Sequence, residues 1–172
     1  KLKPDFAEAH FNLGLILKDL EKHQEAEIYI RKAIHFKPDY ADAYTNLGGI
    51  LRERGKEKEA EKPLINAYNL KPNCPIICAN LGFLYIDLYQ PQKAISYLEK
   101  AIKIKPNFAE AHFNLGVILK DHGKSKEAEY YICEAIKIDS SYKEALGALI
   151  DILELQGKTK KAIEILKKQI IK

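Results

Sequence analysis

At 172 residues, 47% hydrophobic and 30% charged, the chain has the composition of a water-soluble fold, and its net charge of +4 is spread along the sequence. Lys and Glu alternate instead of forming blocks, which argues against a nucleic-acid surface, and no apolar run approaches the ~18–20 residues of a membrane span. Three cysteines without paired spacing fit a reducing compartment better than a disulfide framework, so the expected location is the cytoplasm.

Residues 1–6 read as the end of a preceding unit, because Lys1-Leu2-Lys3-Pro4 resembles the closing words Ile104-Lys105-Pro106. They lack the apolar core of a signal peptide, and the sequence reads as a segment of a longer array. From Ala7 to about Leu20, Leu13, Ile16 and Leu17 have helical spacing, with Phe6 and His10 on the approach. After a turn at Glu21-Lys22, a second helix is expected from about His23 to Phe36, with Ala26, Ile30, Ala33 and Ile34 inside and Pro38 as its stop. Further helices are expected near 41–54 and 57–70, with Gly55 as a left-handed stop between them. Pro63 should bend the second of these locally.

Pro75 and Pro91 suit the first turns of helices at 75–88 and 91–104. Helices at 109–122 and 125–138 follow, and AEAHFNLG at 109–116 repeats 7–14 apart from nothing but position. From Lys143 the pattern degenerates: Ala148 replaces the Asn before Leu149, Ile150 the Gly, and Gln169 a small Ala. Ala162, Ile165, Leu166 and Ile170 still predict that the final helix, within 155–172, packs. Ile170-Ile171 could also cover a following element or a second molecule.

The organising feature is the period. Leu-Gly recurs at Leu13-Gly14, Leu47-Gly48, Leu81-Gly82 and Leu115-Gly116, each 34 residues on, and Lys-Pro closes units at Pro38, Pro72 and Pro106. Gly in mid-helix costs about 1 kcal/mol against Ala, which predicts close approach of another backbone there. Ala26, Ala60, Ala94, Ala128 and Ala162 supply a small residue in each second helix. Leu17, Leu51, Tyr85, Leu119 and Leu153 fill the space between helices.

In these columns the sequence resembles the tetratricopeptide repeat, over essentially its whole length. The family's starting aromatic is replaced by His10, Tyr44, Cys78, His112 and Leu146. The resemblance implies an all-α, right-handed solenoid of antiparallel helix pairs, first helices lining a concave groove and second helices forming the back. It also implies one array: full repeats at 7–40, 41–74, 75–108 and 109–142, then a degenerate, capping repeat at 143–172.

The residue before each Leu is Asn12, Asn46, Asn80 or Asn114. A row of carboxamides can pair with the main chain of an extended peptide whatever its side chains. The row, with Arg-Glu-Arg-Gly at 52–55, is similar to the repeat region of O-linked N-acetylglucosamine transferase. The same face should present Phe11, Phe83, Ile86 and Phe113 as side-chain contacts, with Lys18, Arg52 and Lys120 at its polar ends. Phe83 and Ile86 fit either a hydrophobic anchor for a peptide or packing between first helices. Of the carboxylate clamp by which some relatives hold chaperone tails, only the Asn element is present.

Asp19, Glu53, Asp87 and Asp121 oppose the helix macrodipole at the ends of first helices. Lys22, Lys56 and Lys124, three residues later, are expected to pair with them across the turn. Cys74 and Cys78 have no accompanying pair for zinc, the histidines show no metal spacing, and no phosphate loop or nucleophile elbow occurs. The expected function is therefore a scaffold without catalysis, cofactor or metal that binds a protein or peptide, and neither nucleic acid nor membrane. A targeting arm of a larger glycosyltransferase-like enzyme and a self-assembly module through the terminal helices remain open alternatives.

Overall fold

The structure, a computed structural model, describes the backbone of residues 4–170 and the side chains of residues 6–165. The described residues form helices α1 (Pro4–Asp19), α2 (His23–Phe36), α3 (Ala41–Glu53), α4 (Glu57–Leu70), α5 (Pro75–Asp87), α6 (Pro91–Ile104), α7 (Ala109–Asp121), α8 (Ser125–Ile138), α9 (Lys143–Leu155) and α10 (Thr159–Ile170), with no strand among them. They fall into two compact units, Lys1–Tyr97 and Leu98–Lys172.

Each helix pair closes through the same turn. Glu21, Gly55, Tyr89, Gly123 and Gly157, again 34 residues apart, all take positive φ, between 55° and 74°. The next residue donates its N–H back to the first helix at 2.8–2.9 Å, as Lys22 does to Leu17 and Lys158 to Leu153. This is a Schellman closure, in which a left-handed residue lets the chain reverse while satisfying the last carbonyls. Gly55 is the left-handed stop expected from the sequence, and two repeats form the same turn without glycine.

Packing in each unit follows the repeat. In the first, α1 packs on α2, α2 on α3, α3 on α4 and α4 on α5; α1–α3 and α3–α5 also touch. In the second, α7 packs on α8, α8 on α9 and α9 on α10, and α7 touches α9. The five alanines of the second helices are buried, together with Leu51, Tyr85, Leu119 and Leu153. α4 runs without interruption through Pro63, itself buried.

Two expectations change in detail. A methyl carbon on Gly14 would stand 2.6 Å from Ile30 Cδ1, and one on Gly116 2.7 Å from Ile132 Cδ1, with the backbone oxygens of Ala26 and Ala128 farther away. The partner of each glycine is therefore first a branched side chain, and only second a backbone. Leu13 and Ile16 were expected inside, yet are 38% and 56% exposed, whereas their counterparts Leu47 and Ile50 are buried. Those counterparts lie under α2, and no second helix covers the corresponding face of α1 among the described residues. The side chains of Leu166, Gln169, Ile170 and Ile171 lie outside the described residues, and so does the self-association reading placed on them.

Candidate functional site: the face of the first helices

Asn12, Asn46 and Asn80 occupy one position on α1, α3 and α5 of the first unit. Asn12 is exposed and the other two are half-buried; Asn114 holds the same position on α7 and is half-buried. Asn46 Nδ2 donates to the Asp42 carbonyl at 2.9 Å, and Asn114 Nδ2 to the Glu110 carbonyl at 2.8 Å. These bonds run back along the same helix, orient the carboxamide and use one of its two N–H donors. The oxygen and the second N–H are left to meet a peptide N–H and carbonyl.

The aromatic candidates do not form one patch. Phe11 packs on Tyr40 at 4.8 Å between centroids, and Phe113 on Tyr142 at 4.9 Å. Each pair ties a first helix to the residue that caps the next first helix. Phe83 is only 8% exposed, and the Arg52 guanidinium lies over its ring at 5.7 Å. It forms part of the floor, while Ile86 is half-buried and Ile76 is exposed. Burial first, then Glu110, Glu144 and Asp139, pushes the Tyr142 phenol up to about 12. Tyr40 is raised in the same way, by burial and then by Glu8 and Asp42.

The basic candidates are tied to acids of the next repeat. Lys18 Nζ lies 3.1 Å from Glu53, Arg52 Nε donates to Asp87 at 2.7 Å, and Lys120 Nζ lies 3.6 Å from Asp151. The expected pairing of Glu53 with Lys56 across the turn is thus replaced. Lys22, Lys56 and Lys124 instead reach Glu25, Glu59 and Glu127, three residues into the second helices. The reason is geometric: each lysine is the N-cap of its second helix, so its side chain follows that helix.

A further column went unread in the sequence. Glu27, Glu61 and Glu129 sit beside the small alanines of α2, α4 and α8 and reach into the following repeat. Glu27 accepts from Arg31 at 2.8 Å and pairs with Arg54. Burial raises its carboxyl, and the arginines together overcome this to leave it below the ordinary range. Glu61 accepts from the Tyr85 hydroxyl at 2.9 Å. Glu129 accepts from Lys158 at 2.9 Å and Lys161 at 3.0 Å, which hold its carboxyl down at about 2. The Ala-Glu dipeptide was its only sequence signal.

At the position of the family's aromatic, His112 Nε2 donates to the Pro106 carbonyl at 2.8 Å. Cys78 Sγ makes the corresponding contact to Pro72 at 3.9 Å. Both serve the seam between repeats. Among the described residues no three His, Cys, Asp or Glu side chains gather as a metal-binding group, and no helix is long and apolar enough to cross a membrane.

Tetratricopeptide repeat models match residues 7–40, 109–142 and 41–70, and a TPR repeat model matches residues 90–123. No curated protein matches the chain. Among solved structures, MamA from Desulfovibrio magneticus RS-1 superposes with a TM-score of 0.85 at 18% identity, covering 98% of this chain and 94% of that one. PilF of Pseudomonas aeruginosa gives 0.85 at 18% identity, over 95% and 76% of the two chains. YrrB, described as a TPR protein with an unusual peptide-binding site, gives 0.73 at 24% identity, over 94% and 83%. At these identities the likeness is one of fold.

Proposed function

This chain belongs to the tetratricopeptide repeat family, and we propose that it is a non-catalytic scaffold whose first-helix face binds an extended segment of a partner protein. We read it as one array, with full repeats at 7–40, 41–74, 75–108 and 109–142 and a degenerate repeat at 143–172. The observation that carries the proposal is the placement of Asn12, Asn46 and Asn80 at one position on three successive first helices, α3 touching both α1 and α5, within reach of solvent. With one N–H of Asn46 turned to its own helix, its oxygen and second N–H are the groups that meet the partner's main chain. Asn114 offers the same groups on α7. A peptide-binding site on the fold relative YrrB is compatible with this reading.

Lys18, Arg52 and Lys120 then act by holding the face rigid through their ion pairs, with Phe11 and Phe113 as its aromatic margins. The likeness to the repeat arm of O-linked N-acetylglucosamine transferase rests on the Asn column and the 52–55 wording alone. Reading the gene on either side of the chain tests that alternative, since a catalytic domain would stand there as non-repeat sequence.

The deciding experiment is affinity capture on the wild type beside a variant with all four asparagines changed to Ala, both first shown equally helical by circular dichroism. Partners held by the wild type and lost from the variant are expected. Identical partners on both would overturn the proposal.

A further inference from the structure

The first unit contains a cavity of about 660 Å³ on the side of the second helices, between α2 and α4, floored by α3. Ile34, Tyr44, Leu47 and Pro63 form its apolar interior. The repeat register explains why it is there. Second helices carry Tyr29, Tyr97 and Tyr131 at one column, and Pro63 is that column's member in the second repeat. Each tyrosine ring packs on an aromatic of its own first helix: Tyr29 on His10 at 5.8 Å, Tyr97 on Tyr85 at 5.6 Å and Tyr131 on His112 at 5.8 Å. Between α4 and α6, Tyr97 also meets Tyr68 edge-on at 5.6 Å. Between α2 and α4 the same two positions are Ile34 and Pro63, both smaller, and Tyr44 faces the cavity without the ring that its counterparts His10 and His112 have.

Pro63 contributes a second feature. It has no N–H, so the carbonyl of Glu59, four residues earlier and on the cavity wall, lacks its helical donor. The rim is cationic. Lys58 and Lys62 are exposed one turn apart on α4, and Arg31 and His35 stand one turn apart on α2. Of the acids nearby, Glu59 is engaged by Lys56 and Glu27 by Arg31 and Arg54.

We propose that this cavity is a second docking site, for a peptide segment with an aromatic side chain flanked by acidic residues. The ring would enter beside Tyr44 and Pro63, where other repeats place their own tyrosine. The main chain would offer an N–H to the Glu59 carbonyl, and the flanking acids would meet Lys58 and Lys62 first, Arg31 being shared with Glu27. The volume lies within the ~300–1,000 Å³ of ordinary ligand pockets.

The test uses fluorescence polarisation with a fluorescein-labelled Asp-Glu-Asp-Tyr-Glu-Asp-Glu peptide and a control with Ala in place of its Tyr. The wild type should bind the tyrosine peptide at least tenfold more tightly than the control. Pro63→Tyr fills the cavity with the ring of the other repeats and should weaken binding at least tenfold. Pro63→Ala leaves the space open but returns an N–H to the Glu59 carbonyl, so it should weaken binding by about three- to fivefold, less than Pro63→Tyr, and Lys58→Glu with Lys62→Glu should weaken binding tenfold or more. Changing the four asparagines to Ala should leave this binding unaltered, which separates the site from the first-helix face. Equal binding of both peptides, no binding of either, or unchanged binding by Pro63→Tyr would overturn the proposal. So would a dimer abolished by Pro63→Tyr, which would assign the cavity to a second copy.

Discussion

Glu129 on α8 receives Lys158 at 2.9 Å across the seam between two repeats, and Lys161 joins from the next turn at 3.0 Å. The two ammonium groups hold the carboxyl at about 2, against 4.5 for an unperturbed glutamate. A carboxyl depressed in the folded state stabilises the fold above its unfolded pKa and loses that contribution as pH falls toward the folded value. The loss should therefore run from about pH 4.5 down to about pH 2. Lys158 and Lys161 are 47% and 55% exposed, so water screens the pair and its worth is about 1 kcal/mol. Glu129→Gln should lower stability by about that much at pH 7 and flatten the acid side of the stability profile. Urea titrations from pH 7 to pH 2.5 read both effects, and an unchanged slope would remove Glu129 from the seam's energetics.

Gly116 and Ile132 make a different seam, within a helix pair. A methyl carbon at Gly116 would meet Ile132 Cδ1 and Cγ1 at 2.7 Å, and Ile132 is fully buried. Overpacking of this kind costs about 1–3 kcal/mol, enough to outweigh the better helix propensity of Ala. Gly116→Ala should therefore destabilise by an amount in that range. Combined with Ile132→Ala, it should cost less than the two separate losses added, because the second change removes the atoms that the first strikes. Strict additivity in denaturant melts would show that the contact is not what makes this glycine necessary.

The left-handed turns offer a stabilising change. Glu21 and Tyr89 take φ of 59° and 55° where three other repeats have glycine. A side chain in that region costs about 1–2 kcal/mol, partly offset by glycine's greater freedom when unfolded. Tyr89 is 92% exposed, so its removal takes little packing away. Tyr89→Gly and Glu21→Gly should each raise stability by about 0.5–1 kcal/mol, seen as a higher melting temperature.

The period made the fold legible, because a 34-residue step fixes helix lengths, turn positions and buried columns together. Side-chain direction was not legible in the same way. Glu53 and Lys56 are close in sequence, but the reversal between them sends one back along the array and the other down α4. The tyrosine column that ends in Pro63 is plain in the letters. It gains meaning only once the rings are seen against His10, Tyr85 and His112. The Asn row was visible, but not the bonds from Asn46 and Asn114 to their own helices, since nothing in sequence distinguishes a carboxamide facing a ligand from one facing its own turn.

Phe83 is where sequence and packing part most clearly. As a letter at the centre of the face it reads equally as an anchor for a partner or as core. Its 8% exposure, with Arg52 over the ring and tied to Asp87, favours core. Phe83→Ala should then destabilise by about 3–5 kcal/mol, as truncation of a buried aromatic does. Arg52→Ala should cost less, about 1 kcal/mol, through the exposed ion pair and the ring contact. Ile76, 55% exposed on the same helix, should tolerate Ala within about 0.5 kcal/mol. Partner capture by the Phe83 and Ile76 variants, at a temperature where both remain folded, completes the comparison. A Phe83→Ala protein of unchanged stability that has lost its partners would return this residue to the binding surface.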